Sequence, residues 1–253
     1  MIPKIIHYCW FGRQEKSKLI QECIASWKIM CPEYDIIEWN EDNFDFSANK
    51  FALEAYQTKK WAFVVDFVRV YVINEFGGVY LDTDVELLKP LTPYLEHNAF
   101  LGFEDNALIS TAVIGAEKNH PLIKRVLEYY SKNSFIKERG KYSMIPNTVI
   151  ISGILNREYG LTNISESFDK HIQLKSGLNI YPWFIFSPKN HMTGKITRNI
   201  NSVSIHHFNG SWFTLKHRVL KKVISAMVFL IGKNKYLILR SKINATTCRK
   251  INK

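Results

Sequence analysis

No acidic residue follows Asp169 in this 253-residue chain. Residues 1–169 carry 18 Lys/Arg against 23 acids, a net of −5, and residues 170–253 carry 16 Lys/Arg and no acid, a net of +16. The formal charge of +11 is therefore a property of the last third, not of the whole chain. Glycine and proline are also scarce, at 12 and 8 residues, while 46% of the chain is hydrophobic. That combination excludes a fibrous or disordered chain and is enough for one substantial core. The four cysteines, Cys9, Cys23, Cys31 and Cys248, have no partners at zinc-site spacing, so reduced thiols are expected. The longest late apolar run, residues 223–231, falls far short of the ~20 residues that cross a bilayer. The first residues carry no secretory-signal pattern, so a cytoplasmic protein is expected, held at the inner face of the plasma membrane by its basic last third.

Hydrophobic spacing gives the outline. Residues 5–11 read as a buried strand closed by Gly12, and 34–39 as a second strand. Between them, residues 15–30 place Leu19, Ile20, Cys23, Ile24 and Trp27 on one helical face, stopped by Pro32. Residues 51–56 read as a short helix. Residues 61–76 are apolar nearly all round, which marks a buried helix, with Gly77 suited to end it. Strands are expected at 79–87, 100–103 and 112–116, and a helix at 120–131 with Pro121 in its first turn. Alternating strands and helices predict an α/β sheet. A last helical stretch is expected at 213–231. The predicted organisation is a domain at 1–212 and a basic amphipathic extension at 213–253.

The chemistry concentrates in two neighbouring segments. In Gly77-Gly78-Val79-Tyr80-Leu81-Asp82-Thr83-Asp84-Val85-Glu86, strand alternation puts Tyr80, Asp82, Asp84 and Glu86 on one face. Carboxylates so close repel one another unless a cation separates them, and they suit hard divalent ions such as Mg²⁺ and Mn²⁺. An EF-hand is excluded, because Leu87 stands where its loop needs Gly and Pro93 where it needs Glu. In the helix before, Asp66 and Arg69 are the only charged residues between Trp61 and Asn74, three apart on one face. Buried charges are costly unless paired or used. The two readings are a plain buried ion pair and a pair at the mouth of a site beside the carboxylates.

This pattern resembles the DxD-motif sugar-transferase family: Ala62-x-x-x-Asp66-x-x-Arg69, then Gly77-Gly78-Val79-Tyr80-Leu81-Asp82-x-Asp84. That family includes initiating mannosyltransferases, bacterial capsule and lipopolysaccharide enzymes and, distantly, the clostridial glucosylating toxins. The opening residues 2–12 and the late His206-His207-Phe208-Asn209-Gly210-Ser211-Trp212 are similar to it too. The resemblance implies a GT-A fold, a mixed sheet flanked by helices, binding a nucleotide-sugar and Mn²⁺ or Mg²⁺. It implies that Asp84 ligates the metal, that Asp82 holds the ribose and reaches the metal, and that Asp66 and Arg69 bind the donor sugar. Trp10 would stack on the base, His7 would pack within its strand, and Ser211 and Trp212 would bind the β-phosphate. His207 is the expected third metal ligand, since His-Phe-x-Gly resembles a metal-binding element of related enzymes. Configuration would be retained at the anomeric carbon. A UDP-sugar is the favoured donor and GDP-mannose the alternative.

Two polar clusters, Phe103-Glu104-Asp105-Asn106 and Pro146-Asn147-Thr148, are candidates to meet the acceptor. A bacterial surface glycan on a polyprenyl diphosphate is the expected acceptor, and an anionic membrane surface the expected partner of the basic extension. Nucleic-acid binding, the other reading of the +16 third, has no helix-turn-helix, zinc-finger or RNP pattern behind it and is not expected.

Overall fold

The computed structural model describes residues 1–104, 108–162, 167–210, 228 and 232. The chain divides into two compact units, one of residues 1–189 and 197–207, the other of residues 190–196 and 208–253. The helix expected at 213–231 and the extension around it lie outside the described residues, apart from Val228 and Gly232.

The principal elements of the first unit, in chain order, are β1 (Ile5–Cys9), α1 (Lys18–Met30), β2 (Asp35–Trp39), α2 (Lys50–Gln57), α3 (Trp61–Phe76), β3 (Gly78–Leu81), β4 (Val85–Leu87), β5 (Ala99–Phe103), β6 (Ile109–Ala116), α4 (Pro121–Lys132), α5 (Asn147–Tyr159), β7 (Ile172–Leu174), β8 (Leu178–Tyr181) and β9 (Ser204–His206). A seven-stranded sheet runs in the order β2-β1-β3-β6-β5-β8-β7. β2, β1 and β3 are parallel, β6 is antiparallel to both β3 and β5, β8 is parallel to β5, and β7 is antiparallel to β8. This is the mixed α/β sheet expected of a GT-A chain.

Alternation along the strands feeds two cores, one on each face. Ile6, Tyr8, Val79, Leu81 and Val113 pack with Trp27 of α1. Cys9, Tyr80, Leu101 and Ile114 pack with Val64, Phe67 and Val68 of α3, and with Val126 of α4 and Ile151 of α5. The helix expected at 61–76 is α3 to the residue. It is apolar all round because the sheet covers one side and α2 and α4 the others.

Gly77 and Gly78 turn the chain from α3 into β3. Both have positive φ, +67° and +103°, where L side chains are strained. A Cβ on Gly78 would lie 2.7 Å from the Ile5 carbonyl oxygen. The glycine pair is thus what lets β3 lie directly beside β1.

The expected strand 79–87 is two strands. β3 stops at Leu81, a turn takes residues 82–84, closed by the Val85 N–H donating to the Asp82 carbonyl at 2.9 Å, and β4 leaves the main sheet. β4 pairs instead with β9, Val85 opposite His206, in a separate antiparallel sheet. The predicted single face therefore holds for Tyr80 and Asp82 only. α5 was not expected. Asn147, Ser152 and Gly153 interrupt its apolar stripe, although Ile150, Ile151, Ile154 and Leu155 are buried and Gly160 ends it at φ +71°.

Candidate active site

The site is built at the carboxyl end of β3, where ligands gather in open α/β sheets. Asp82 leaves the strand on the same side as Tyr80, and the Tyr80 hydroxyl donates to its Oδ1 at 3.0 Å. Arg69, on the buried helix behind, brings Nη2 to 3.2 Å from that same Oδ1 and to 3.3 Å from Asp66 Oδ1. Its Nη1 donates to the Thr111 carbonyl at 2.5 Å, and the guanidinium lies 4.7 Å from the centre of the Tyr80 ring. Asp66 and Arg69 form a buried ion pair that extends into the carboxylate turn.

Asp66 has a second set of partners. The Asn147 backbone N–H donates to Asp66 Oδ2 at 3.2 Å, and the Asn147 side-chain amide donates to the Asp66 carbonyl at 3.1 Å. The first residue of α5 thus points its N–H at a carboxylate, at the end where a helix favours negative charge. Burial pushes the Asp66 carboxyl up to about 6, with Arg69 and the Asn147 N–H opposing the rise. Burial also works against the charge on Arg69, but Asp82, Tyr80 and Asp66 outweigh it and hold the guanidinium firmly protonated. One of the two predicted acceptor clusters is therefore already engaged at Asp66 through Asn147. In the other, Asp105 and Asn106 lie outside the described residues.

Asp84 approaches β9. His206 Nε2 lies 3.5 Å from Asp84 Oδ1. Asp82, Asp84 and His206 each offer one ligand atom within 4.8 Å of the others, all three side chains being largely buried. Burial lowers the proton affinity of His206, but Asp84 and then Asp82 outweigh it, so the ring sits above its ordinary value. Two carboxylates and an imidazole drawn together out of water are a set that fits a divalent cation, the carboxylates favouring Mg²⁺ or Mn²⁺.

His207, the ligand expected from the resemblance, is not in this group. Its Nε2 is 2.9 Å from Glu86 Oε2, and its backbone N–H donates to the Asp84 carbonyl at 2.9 Å. His206 ends β9 opposite Val85, and the turn at 82–84 brings the Asp84 carboxylate to it, while His207, just past the strand, stands diagonal to Glu86. The half-buried Lys189 also feels Asp84, which offsets part of the lowering that burial imposes on its ammonium.

Of the remaining predicted residues, Trp10 follows β1 at the same edge of the sheet. It is half-buried, its Nε1 donates to the Gln14 carbonyl at 2.5 Å, and the Lys16 ammonium is 5.4 Å from its ring centre. His7 packs within its strand as expected, Nε2 2.8 Å from the Gly77 carbonyl and Nδ1 accepting from Trp39 Nε1 at 3.2 Å. Ser211 and Trp212 lie outside the described residues. Sequence reasoning missed Asn147 as a partner of Asp66, and Lys189, and it set Tyr80 on the right face without a role.

Fold and site together define a mixed α/β sheet with a buried charge cluster built around the Asp82-Thr83-Asp84 turn. Residues 17–101 match the family described as "Glycosyltransferase sugar-binding region containing DXD motif". It is 28% identical over 141 residues to inositol phosphoceramide mannosyltransferase 3 of Schizosaccharomyces pombe, covering 53% of this chain and 38% of that protein. It is 27% identical over 159 residues to mannosyl phosphorylinositol ceramide synthase SUR1 of Saccharomyces cerevisiae, covering 60% of this chain and 39% of that one. The chain thus spans about two fifths of the length of these curated relatives. Among solved structures, the PaToxG glycosyltransferase is 17% identical, with 62% of this chain and 69% of that chain covered at a TM-score of 0.48.

Proposed function

We propose that the chain is a metal-dependent glycosyltransferase that moves a hexose from a nucleotide-sugar donor to a glycan or lipid acceptor. The observation that carries this reading is the continuity of two charge groups, Asp66–Arg69–Asp82 and Asp82–Asp84–His206, which share Asp82. A nucleotide-sugar presents a hydroxyl-rich ring and a diphosphate side by side, and two adjoining groups of this kind answer to both.

In this reading Asp82, Asp84 and His206 hold Mn²⁺ or Mg²⁺. When bound, the cation supplies positive charge for the diphosphate that departs with the nucleotide. Asp66 and Arg69 orient the donor sugar, and Arg69 is held ready by Thr111 and Tyr80. Trp10, at the same sheet edge, takes the base, and Ser211 and Trp212 take the β-phosphate. The leaving phosphate accepts the acceptor proton, and configuration is retained.

The named relatives transfer mannose, which favours GDP-mannose as donor over the UDP-sugar that a bacterial capsule enzyme would use. Their names place the acceptor on a ceramide lipid, and a lipid-borne acceptor at a membrane is the reading for this chain too. The test is nucleotide release from a panel of GDP- and UDP-sugars with Mn²⁺, followed by NMR of the product anomer. Release from GDP-mannose alone establishes the mannosyl reading, and release from a UDP-hexose alone replaces it with the other donor. No release from any donor, with or without Mn²⁺ and lipid acceptors, refutes the transferase.

A further inference from the structure

Half of the large hydrophobic side chains exposed among the described residues fall within one stretch of 14 residues. Ile136, Tyr142, Met144, Ile145 and Val149 are exposed there, Met144 at 56%, while Met1, Ile29, Phe76, Ile196 and Ile200 are scattered. Single exposed apolar groups are ordinary, whereas a cluster of them marks a surface with a partner. This cluster is held in place. Phe135 is fully buried and stacks on Tyr142 at 5.3 Å, the Ser143 N–H donates to the Phe135 carbonyl at 2.7 Å, and the Ile136 N–H donates to Glu54.

Its charge is equally distinctive. Lys137, Arg139 and Lys141 are exposed on the same stretch, Glu138 is the single acid between residues 132 and 149, and the Lys60 ammonium lies 5.5 Å from the Tyr142 ring centre. The first 169 residues are net acidic, so a basic apolar patch within them stands against its own surroundings. Apolar side chains that enter the headgroup layer, ringed by cations that meet anionic lipid, are what a peripheral membrane contact requires. A protein partner complementary to this patch would need an acidic rim around an apolar groove, and a second copy would oppose its cations to its own.

We propose that residues 136–149 dock the protein on an anionic lipid bilayer, with Met144 and Ile145 entering the interface. This stretch precedes the basic last third in sequence. Ile145 lies two residues from Asn147, whose N–H reaches Asp66, so docking there brings the bilayer beside the candidate sugar site. The inference stands on the patch itself and not on the transfer reaction.

The test uses the full chain with Cys248→Ser and a polarity-sensitive fluorophore on Met144→Cys. The other three thiols, Cys9, Cys23 and Cys31, are buried and spared the label. A second label at Lys28→Cys, on α1, is the control. Vesicles containing phosphatidylglycerol are expected to blue-shift the label at 144 and expose it to nitroxide-lipid quenching, and to leave the label at 28 unchanged. High salt and the Lys137→Glu, Arg139→Glu, Lys141→Glu variant should raise the lipid needed for half the shift, the variant on the order of a hundredfold at roughly 1 kcal/mol per cation. An unlabelled Ile145→Asp chain should sediment less with the same vesicles. A label at 144 that stays in water while the chain binds vesicles assigns the contact to the last third and overturns the proposal. So does a shift that follows protein concentration without lipid, which would assign the patch to a second copy. Nucleotide release with a soluble acceptor reads the transfer reaction separately.

Discussion

Two regions of the first unit hold concentrated charge in opposite ways. Around the 82–84 turn the charges are buried and interlocked, Arg69 reaching Asp66, Asp82 and the Thr111 carbonyl at once. On residues 136–149 the charges are exposed and stand beside exposed apolar groups. In low dielectric, removing one member leaves another charge uncompensated, whereas exposed charges at the surface are worth little to the fold. Buried charge therefore ties chemistry to stability, while exposed charge can change a partner and leave the fold alone.

The largest expected effect comes from breaking the buried group. Arg69→Ala leaves Asp66 and Asp82 facing each other without their cation and should cost about 3–5 kcal/mol in urea unfolding, with nucleotide release abolished. A loss under about 1 kcal/mol would mean that the group is not electrostatically coupled. Asp84→Asn is next. Asn keeps the size of the side chain and an oxygen to face His206, so the fold should survive while kcat/KM falls by about 10²–10³, the scale of losing one transition-state charge partner. Turnover within a few-fold of wild type would remove Asp84 from the chemistry.

Tyr80→Phe should be milder, about 1 kcal/mol, because it removes one buried hydrogen bond to Asp82 and keeps the ring under Arg69. A pH effect away from the site separates ordinary buried histidine from the site's own. His120 caps α4, Nδ1 accepting the Leu122 N–H at 3.3 Å and Nε2 lying 3.0 Å from the Ser176 carbonyl. Burial lowers its proton affinity. Its contribution to stability is complete above the free-imidazole value near 6.5 and is lost as pH falls below it, where the unfolded chain takes a proton that the folded one refuses. His120→Asn, which keeps an N-cap acceptor, should flatten the slope of stability against pH below about 6.5. An unchanged slope would show that His120 carries no linkage. The smallest effect belongs to the exposed region. Lys137→Glu, Arg139→Glu, Lys141→Glu should change unfolding free energy by less than about 0.5 kcal/mol, and a larger loss would mean that those cations are part of the fold.

How much of this was legible follows the same division. α3 was readable to the residue because an apolar helix carrying two charges has few solutions, and Gly77-Gly78 marked its end. Asp66 and Arg69 were readable as a pair for the same reason, and Asp82 and Asp84 from their spacing after Gly77-Gly78. The break after Leu81 was not, because alternation continues through Val85 and Leu87, and only pairing with β9, more than a hundred residues on, draws β4 out of the sheet. The choice between His206 and His207 depends on how the 82–84 turn meets the end of β9, which is a tertiary fact. Asn147 reaches Asp66 across 81 positions through a helix start that reads in sequence as a polar loop.

The central claim is that Asp82, Asp84 and His206 form the metal set. The direct measurement is Mn²⁺ titration followed by electron paramagnetic resonance, with a nucleoside diphosphate present, on wild type, His206→Ala and His207→Ala. The account predicts that His206→Ala weakens Mn²⁺ binding by at least about tenfold and that His207→Ala leaves it within about twofold, which is the discrimination a direct ligand gives over a neighbour. The reverse order, His207→Ala losing the ion and His206→Ala keeping it, would contradict it.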